Sequence, residues 1–297
     1  MAKSDFIDPK GLARILRLEL VARDAVEGFL SGRHPSPYHG SSVEYADHRP
    51  YSMGDELRSL DWKLLAKTDK YYVKLFEDQT NLRCTILLDV SRSMEFGADN
   101  RMTKLVYGAH LAAALGYLML RQNDAVGLAM FDNRLRQYLP ARSTASHFRL
   151  MVDMLETAQG HAESRMGPVM HELASRLKRR GLIILISDLL DDPPALFDAL
   201  SHFRYRQHEV IVFHVMDPHE LSFPYERLAR FKDMEGVGMI VANPDSVRRR
   251  YLERLEAFLG EVKRRCFERD VTYELATTDT PWDRMLGAYL ERRGRLT

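Results

Sequence analysis

A short apolar run that ends in hard oxygen side chains constrains the fold of this chain more than any other feature. Residues 84–88 read Cys-Thr-Ile-Leu-Leu and lead directly into Asp89, Ser91 and Ser93. A β-branched and aliphatic run of this length is typical of a central strand in a parallel sheet, where both faces are buried. Open α/β sheets bind ligands beyond the carboxyl ends of their strands. The sequence therefore predicts a parallel α/β sheet with a binding site directly after residue 88.

The side chains that follow this strand indicate a metal ion. They supply one carboxylate and two hydroxyls at alternate positions, and Arg92 between them is expected to point elsewhere. Oxygen ligands without sulfur or imidazole suit Mg²⁺, and Mn²⁺ or Ca²⁺ would also fit, whereas zinc prefers nitrogen and sulfur. The pattern Asp-x-Ser-x-Ser resembles the metal-ion-dependent adhesion site (MIDAS) of von Willebrand factor A domains.

A second apolar strand ends in the same way. Residues 181–186 are followed by a serine and then by Asp188. In a doubly wound sheet, two neighbouring strands would place Asp89 and Asp188 side by side. Two carboxylates in a partly dry site repel each other unless one is protonated or a cation lies between them. Capping of the next helix is the alternative role for these acids, and we assign that role to Asp192, which precedes two prolines.

Strand and helix patterns alternate from residue 84 to the end of the chain. Strands are predicted at 84–88, 125–131, 182–187, 209–215 and 271–275. Helices are predicted near 102–121, 145–158, 168–179, 194–206 and 246–267. This alternation predicts a doubly wound (Rossmann-like), mostly parallel sheet with helices on both faces. Residues 217–243 interrupt it, and we expect an insertion there with a short hairpin near 236–241.

The first 80 residues follow a different pattern. Residues 10–30 are predicted to form a helix with one apolar face, and the turn-rich stretch at 32–40 marks a boundary. A strand is predicted at 71–76. We expect residues 1–80 to form an amino-terminal helix and extended β-arm packed on the main domain, residues 81–297.

Composition excludes several classes of protein. The 297 residues carry 43 basic and 42 acidic side chains, so no global field attracts nucleic acid. Local basic runs such as residues 178–180 are assigned to solvated helix ends. The longest apolar segment, residues 111–120, is too short to cross a bilayer, and no membrane span is predicted. With Cys84 and Cys266 far apart, no disulfide framework is expected, and we predict a cytoplasmic protein.

A motif upstream of the first strand connects the chain to a family. Its residues are Arg49, Tyr51, Gly54, Asp55, Arg58, Asp61 and Trp62. This core resembles that of the bacterial family called domain of unknown function 58, and residues 231–236 and 277–281 are also similar to it. Lys67 stands where an arginine is usual. The resemblance covers nearly the whole chain and implies a von Willebrand factor A-like fold.

The resemblance also implies a set of metal ligands. The first motif would supply Asp89 and its two serines, the third motif Asp188, and the second motif usually supplies a threonine hydroxyl. No Gly-Thr-Asp occurs here, and counting back from Met166 places Ser164 at that position, with Thr144 as a weaker candidate. The implied ligands are Asp89, Ser91, Ser93, Ser164 and Asp188.

The segment between Gly54 and Trp62 has two interpretations. Its charged residues could form a hydrogen-bonded network that fixes the amino-terminal arm, with Trp62 packed beneath. It could instead be a surface for docking a partner. We favour the structural interpretation.

Binding explains these features better than catalysis does. Aspartyl phosphatases carry a second carboxylate two residues after the nucleophile, where this chain has Ser91, and phosphate-binding loops and Gly-x-Ser-x-Gly elbows are absent from the sequence. A metal held mostly by neutral hydroxyls keeps much of its charge and can accept a carboxylate from another molecule. We predict a non-enzymatic interaction module, and the resemblance implies a MoxR-type AAA+ ATPase as partner. The alternative is a metal-dependent phosphate-ester hydrolase.

Overall fold

The computed structural model covers the chain in several stretches. It describes residues 43–52, 60, 62–68, 70–78, 82–98, 102–160, 165–191, 193–225, 229–232, 239–242 and 244–294. The helix predicted at 10–30, the charged residues between 54 and 61, and the cap assigned to Asp192 lie outside these ranges. Residues 30–81 form one compact unit, and residues 82–297 belong to a second. The predicted packing of residues 1–80 on the main domain stays a prediction.

The unit at residues 30–81 contains a two-stranded antiparallel sheet. Its strands are β1 (Val43–Pro50) and β2 (Tyr72–Asp78), and helix α1 (Trp62–Thr68) lies between them in sequence. Leu60 forms an isolated antiparallel bridge with Val73, and both side chains are buried. Trp62, which the structural interpretation expected to be packed, is 60% exposed.

Strands from the second unit form a six-stranded sheet and a separate hairpin. They are β3 (Arg83–Asp89), β4 (Ala125–Phe131), β5 (Leu135–Arg142), β6 (Leu182–Ser187), β7 (Glu209–Met216), β8 (Ala229–Lys232), β9 (Met239–Ala242) and β10 (Thr272–Thr277). The large sheet has the order β10-β7-β6-β3-β4-β5, and β8 pairs with β9. All neighbours in the large sheet are parallel except β4 and β5. The predicted mostly parallel sheet is confirmed, with β3 at its centre.

Helices cover both faces of this sheet. They are α2 (Lys104–Arg121), α3 (Ala145–Glu156), α4 (Met166–Arg176), α5 (Pro193–Tyr205), α6 (Pro218–Ser222), α7 (Pro244–Glu268) and α8 (Trp282–Gly294). Helices α4, α5 and α7 share one apolar core with the sheet, whereas α2 contacts α3 and α8. The five helices predicted after residue 100 are found within a few residues of their expected ends. The short α6 and the terminal α8 were not predicted.

Helix α2 approaches the sheet closely because it carries Gly108. A Cβ atom at this position would lie 3.0 Å from Leu88 Cδ1 and 3.1 Å from Ile186 Cγ2. These two residues are opposite each other on the neighbouring strands β3 and β6. The glycine therefore sets α2 directly above the two strands that carry the predicted site.

Within the described ranges, no helix combines the length and apolar character that a membrane crossing requires.

Candidate metal centre

Asp89 is the last residue of β3 and has no exposed surface. Its Oδ1 accepts a hydrogen bond from the backbone N–H of Ser91 at 2.8 Å. Its Oδ2 accepts one from the Ser187 hydroxyl at 2.6 Å. Because Ser187 ends the neighbouring strand β6, the two central strands of the sheet together fix the orientation of this carboxyl group.

The two serines of the motif lie in a tight turn after β3. A single turn of 3₁₀ helix spans Arg92–Glu95, and Ser91 and Ser93 are both buried while Arg92 is exposed, as expected. The hydroxyl oxygens of the two serines are 3.0 Å apart and share a hydrogen bond. Ser93 also hydrogen-bonds to Asp188. Both hydroxyls therefore lie among the carboxyl groups and can act as neutral ligands.

Asp188 follows β6 and is completely buried. Its Oδ1 accepts a hydrogen bond from the backbone N–H of Leu190 at 3.2 Å. The intervening residue Leu189 has a φ of 55°, a left-handed conformation that is uncommon for a branched side chain. The turn brings Asp188 back over the sheet edge, where it joins Asp89 and the two serines.

Lys104, in the first turn of α2, is part of the site although the sequence analysis did not assign it there. Its side chain is fully buried, and its Nζ donates hydrogen bonds to Asp188 Oδ2 at 2.8 Å and to Glu220 Oε1 at 2.7 Å. The other carboxyl oxygen of Glu220 accepts from the backbone N–H of Asp217 at 2.9 Å, in the capping box of α6. One ammonium group thus connects α2, the turn after β6 and the insertion after β7.

The site contains three carboxyl groups for one ammonium group. Burial, and after it the neighbouring Asp188, raise the pKa of Asp89 to about 7 against the opposing hydrogen bonds from Ser187 and Ser91. Burial also acts to raise the pKa of Asp188, but the Lys104 ammonium outweighs it and holds this pKa below the ordinary value. Asp89 is consequently the carboxyl group whose negative charge is least compensated.

Lys104 and Glu220 form an ion pair within this cluster. Burial acts to lower the pKa of Lys104, yet the adjacent Asp188 and Glu220 raise it above its ordinary value. Burial raises the pKa of Glu220, and Lys104 opposes that change. The ammonium group therefore keeps its charge and neutralises the side of the site that faces α6.

The donor set fits a hard cation. Across the described ranges, no group of three or more His, Cys, Asp or Glu side chains is placed to hold a metal ion, so hydroxyls must complete any metal site here. Asp89, Ser91 and Ser93 provide oxygen donors of the kind that Mg²⁺ accepts, with Asp188 hydrogen-bonded to Ser93 beside them. A cation at this position would also offset the uncompensated charge of Asp89.

The two hydroxyls considered for the second motif have different outcomes. Ser164 lies outside the described residues. Thr144 caps α3, where its hydroxyl accepts from the backbone N–H of His147 at 3.3 Å. Because Arg142 pairs with Val126 near the start of β4, Thr144 lies at the amino edge of the sheet. The site is at the other edge, about 20 Å along a seven-residue strand, so Thr144 is wrong as a ligand candidate.

A neutral histidine contacts the backbone of the site. His214 Nε2 lies 2.9 Å from the backbone oxygen of Asp188, and its Nδ1 lies 2.9 Å from the hydroxyl of Tyr273. Burial lowers the pKa of His214 to about 4, so the ring is uncharged near neutral pH. His214 therefore has a structural role beside the metal centre.

A local signal for Lys104 was present in the sequence. The lysine is on the face of α2 that also carries Leu111 and Leu115, and all three side chains are buried. A charged side chain is almost never fully buried without a partner. A lysine in phase with an apolar helix face therefore predicts a buried carboxylate opposite it.

Comparison with known proteins gives one family and several relatives. Residues 47–257 match the family described as protein of unknown function DUF58. The uncharacterized proteins Mb1516 of Mycobacterium bovis and Rv1480 of Mycobacterium tuberculosis are each 28% identical to this chain over 228 residues, covering 75% of this chain and 71% of theirs.

Among solved structures, the chain is similar to the conserved hypothetical protein BatB from Bacteroides thetaiotaomicron. That structure has a TM-score of 0.46 and 16% identity, covering 72% of this chain and 99% of that one. An aerotolerance-related membrane protein from Bacteroides fragilis gives a TM-score of 0.45 and 17% identity, covering 73% and 100%. The predicted cytoplasmic location is wrong by this comparison, because a protein described as a membrane protein is among the similar structures.

Proposed function

The chain belongs to the DUF58 family of proteins of unknown function, and we propose that it is a non-enzymatic protein-interaction module with a Mg²⁺ site at the carboxyl edge of its sheet. Asp89, Ser91 and Ser93 would hold the ion directly, and Asp188 would act beside them. Its von Willebrand factor A-like fold supports the assignment as an interaction module. When bound, the metal supplies a Lewis-acidic position for a carboxylate.

One observation carries the proposal. Asp89 is fully buried next to Asp188, and burial together with this second carboxylate raises its pKa to about 7. Lys104 compensates Asp188 and Glu220 instead. A site built only to stabilise the fold has no need of a buried carboxylate in this state, whereas a site that accepts a divalent cation does.

The residues around the ion would do three things. Ser187 and the backbone N–H of Ser91 hold the Asp89 carboxyl group in one orientation. The two serine hydroxyls contribute no negative charge, so the ion keeps most of its own. Lys104 keeps Asp188 ionised and in place. Together they would leave the cation able to attract an acidic side chain from a partner protein.

The family resemblance suggests a MoxR-type AAA+ ATPase as this partner, in a chaperone-like assembly or activation system. The acidic side chain would come from the ATPase. Arg92 is exposed directly beside the site and would face the incoming protein. Its charge would affect the rate of association more than folding.

Metal binding tests the first part of the proposal. Titration of the purified protein with Mg²⁺, followed by calorimetry, should give saturable binding that Asp89→Asn abolishes and Ser91→Ala weakens. Asp153→Asn, which removes an exposed carboxylate on α3, is the matched control and should bind as the wild type does. Equal Mg²⁺ affinity in all four proteins would exclude this site.

A chelator is unsuitable as a test of partner binding, because it would also remove the metal ion from the nucleotide site of the ATPase. Immobilised wild type, Asp89→Asn and Asp153→Asn should therefore be compared with Mg²⁺ present throughout. Retention of a purified MoxR-type ATPase should be lost only in Asp89→Asn. If phosphate esters are instead hydrolysed in Mg²⁺ and Asp89→Asn stops the turnover, the hydrolase alternative replaces this function.

A further inference from the structure

A concave site lies at the edge of the sheet opposite the metal centre. It is a pocket of about 250 Å³ at the amino ends of the central strands, and we call it the basic pocket. Its charged lining residues are Arg83, Arg176, Lys178 and Arg179, and Thr85, Tyr138 and His208 also line it. Residues 178–180 were predicted to form a solvated helix end. Lys178 and Arg179 instead converge with Arg83 and Arg176 on one cavity.

The backbone holds these cations close together. Arg83 is the first residue of β3, whereas Arg176 ends α4 and the other two occupy the turn before β6. Gly181 closes this turn, and a Cβ atom there would lie 2.2 Å from the backbone oxygen of Arg83. Only a glycine permits this close approach, so the turn and the start of β3 are fixed against each other.

The positive charge of the basic pocket is largely uncompensated. Arg176 pairs with Glu172 at 2.6 Å on the surface of α4. In the part of the chain that the structure describes, no ion pair or side-chain hydrogen bond is found for Arg83, Lys178 or Arg179, and no carboxylate lines the pocket. This concentration of charge contrasts with a nearly neutral chain of net charge +1.

We propose that the basic pocket binds the phosphate group of a small anion. Guanidinium groups match the geometry of phosphate oxygens and can donate two parallel hydrogen bonds. The pocket is smaller than the roughly 300–1,000 Å³ typical of sites for whole cofactors. It therefore suits phosphate, pyrophosphate or a phosphomonoester headgroup of a lipid, all of which present the same chemistry.

This inference is independent of the metal centre. Asp89 ends the strand that Arg83 begins, so the two sites lie about 20 Å apart at opposite edges of the sheet. If Mg²⁺ did not bind, the proposal for the basic pocket would still stand. If phosphate did not bind, the proposal for the metal centre would still stand.

The test uses the full chain with pyrophosphate as the soluble probe, at physiological ionic strength. Calorimetry should show saturable binding to the wild type. The double variant Arg83→Gln/Arg179→Gln should weaken it by about tenfold or more, since each lost guanidinium removes a charge-assisted hydrogen bond. The double variant Arg249→Gln/Arg250→Gln on α7 makes the same change in net charge elsewhere and should bind within about twofold of the wild type.

A second experiment, with lipid vesicles, identifies the source of the phosphate group. Co-sedimentation with phosphatidylcholine vesicles containing phosphatidic acid, lost only in the pocket variant, would indicate a lipid headgroup. Pyrophosphate binding without vesicle binding would indicate a soluble anion. If neither probe binds the wild type, or if both double variants weaken binding equally, the proposal is overturned. Lys178→Gln alone provides a milder test should the double variant unfold, and an unchanged affinity in it would also count against the pocket.

Discussion

Substitution of Asp89 by asparagine probes the electrostatics of the metal centre most directly. In the absence of metal, the pKa of Asp89 in the folded protein is raised from 3.8 to about 7. A group whose pKa is raised by folding supports the folded state fully only at pH below its unfolded pKa. That support is lost as the pH rises through the folded pKa. The metal-free wild type should therefore lose stability between about pH 4 and pH 7.

The size of this loss follows from the two pKa values. Three pKa units correspond to at most about 4 kcal/mol. Asparagine mimics the protonated acid, and its side-chain oxygen can still accept from the backbone N–H of Ser91. Its amide would donate to the Ser187 hydroxyl instead of accepting from it, at a cost of about 1 kcal/mol. Relative to the wild type, the advantage of Asp89→Asn should grow by roughly 2–3 kcal/mol between about pH 5 and pH 8.

Urea denaturation of both proteins with a chelator, at these two pH values, measures this difference. Asp153→Asn is the control for removing an exposed carboxylate, and its effect should be small at both pH values. A constant cost of Asp89→Asn across the pH range would show that Asp89 is an ordinary hydrogen-bonded carboxylate. Such a result would mean that the charge of Asp89 is compensated within the fold.

Added Mg²⁺ should stabilise the wild type and leave Asp89→Asn unchanged. At about ten times its dissociation constant, a ligand that binds only the folded protein stabilises it by roughly 1.4 kcal/mol. For a chain of this length, that corresponds to an increase in melting temperature of roughly 2 °C. The wild type should show this increase and Asp89→Asn should not. No increase in the wild type would count against a metal site.

Three further substitutions test the packing and charges around the site by urea denaturation. Lys104→Met should lower the free energy of unfolding by roughly 3–5 kcal/mol, because it leaves Asp188 buried without its counter-ion. A loss of less than about 1 kcal/mol would contradict the ion pair. Gly108→Leu should lower the free energy of unfolding by roughly 1–3 kcal/mol, since even a Cβ atom would lie 3.0 Å from Leu88. An unchanged free energy of unfolding would mean that α2 lies farther from the sheet. Glu220→Gln should cost roughly 1–2 kcal/mol through the weakened bond to Lys104, and an unchanged midpoint would place Glu220 outside the network.

The central fold was predictable because its signals are local. The apolar runs of β3 and β6 are continuous and fully buried, and such runs specify central parallel strands without reference to the rest of the chain. Strand β5 was missed because it is a half-buried antiparallel edge strand with Pro140 inside it. Helix α8 carried a readable signal, since its buried residues follow helical spacing: Trp282, Met285, Leu286, Tyr289 and Leu290.

The candidate site also has a part that local sequence predicts and a part that it does not. The local motif predicted that Asp89 and its serines follow a strand, and adjacency of two such strands predicted Asp188 beside them. The contacts of Lys104 depend on residues 84 and 116 positions away along the chain. The helical phase of Lys104 indicates a buried partner, but no periodicity or short motif identifies Asp188 or Glu220 as that partner, because the tertiary fold alone brings them together. Counting back from Met166 predicted Ser164, which lies outside the described residues, whereas the direction of β5 places Thr144 at the opposite edge of the sheet.

The bond between Lys104 and Glu220 limits how far this domain can be shortened for structural or engineering work. A fragment ending at Met216 would keep Asp89, both serines and Asp188, and by motif alone it would look sufficient. It would nevertheless lose one of the two acceptors of a buried ammonium group, and it would expose the edge of β7 that pairs with β10. Such a fragment should be prone to aggregate through that open edge. A transplantable version of this site must therefore extend at least through β10, which ends at Thr277.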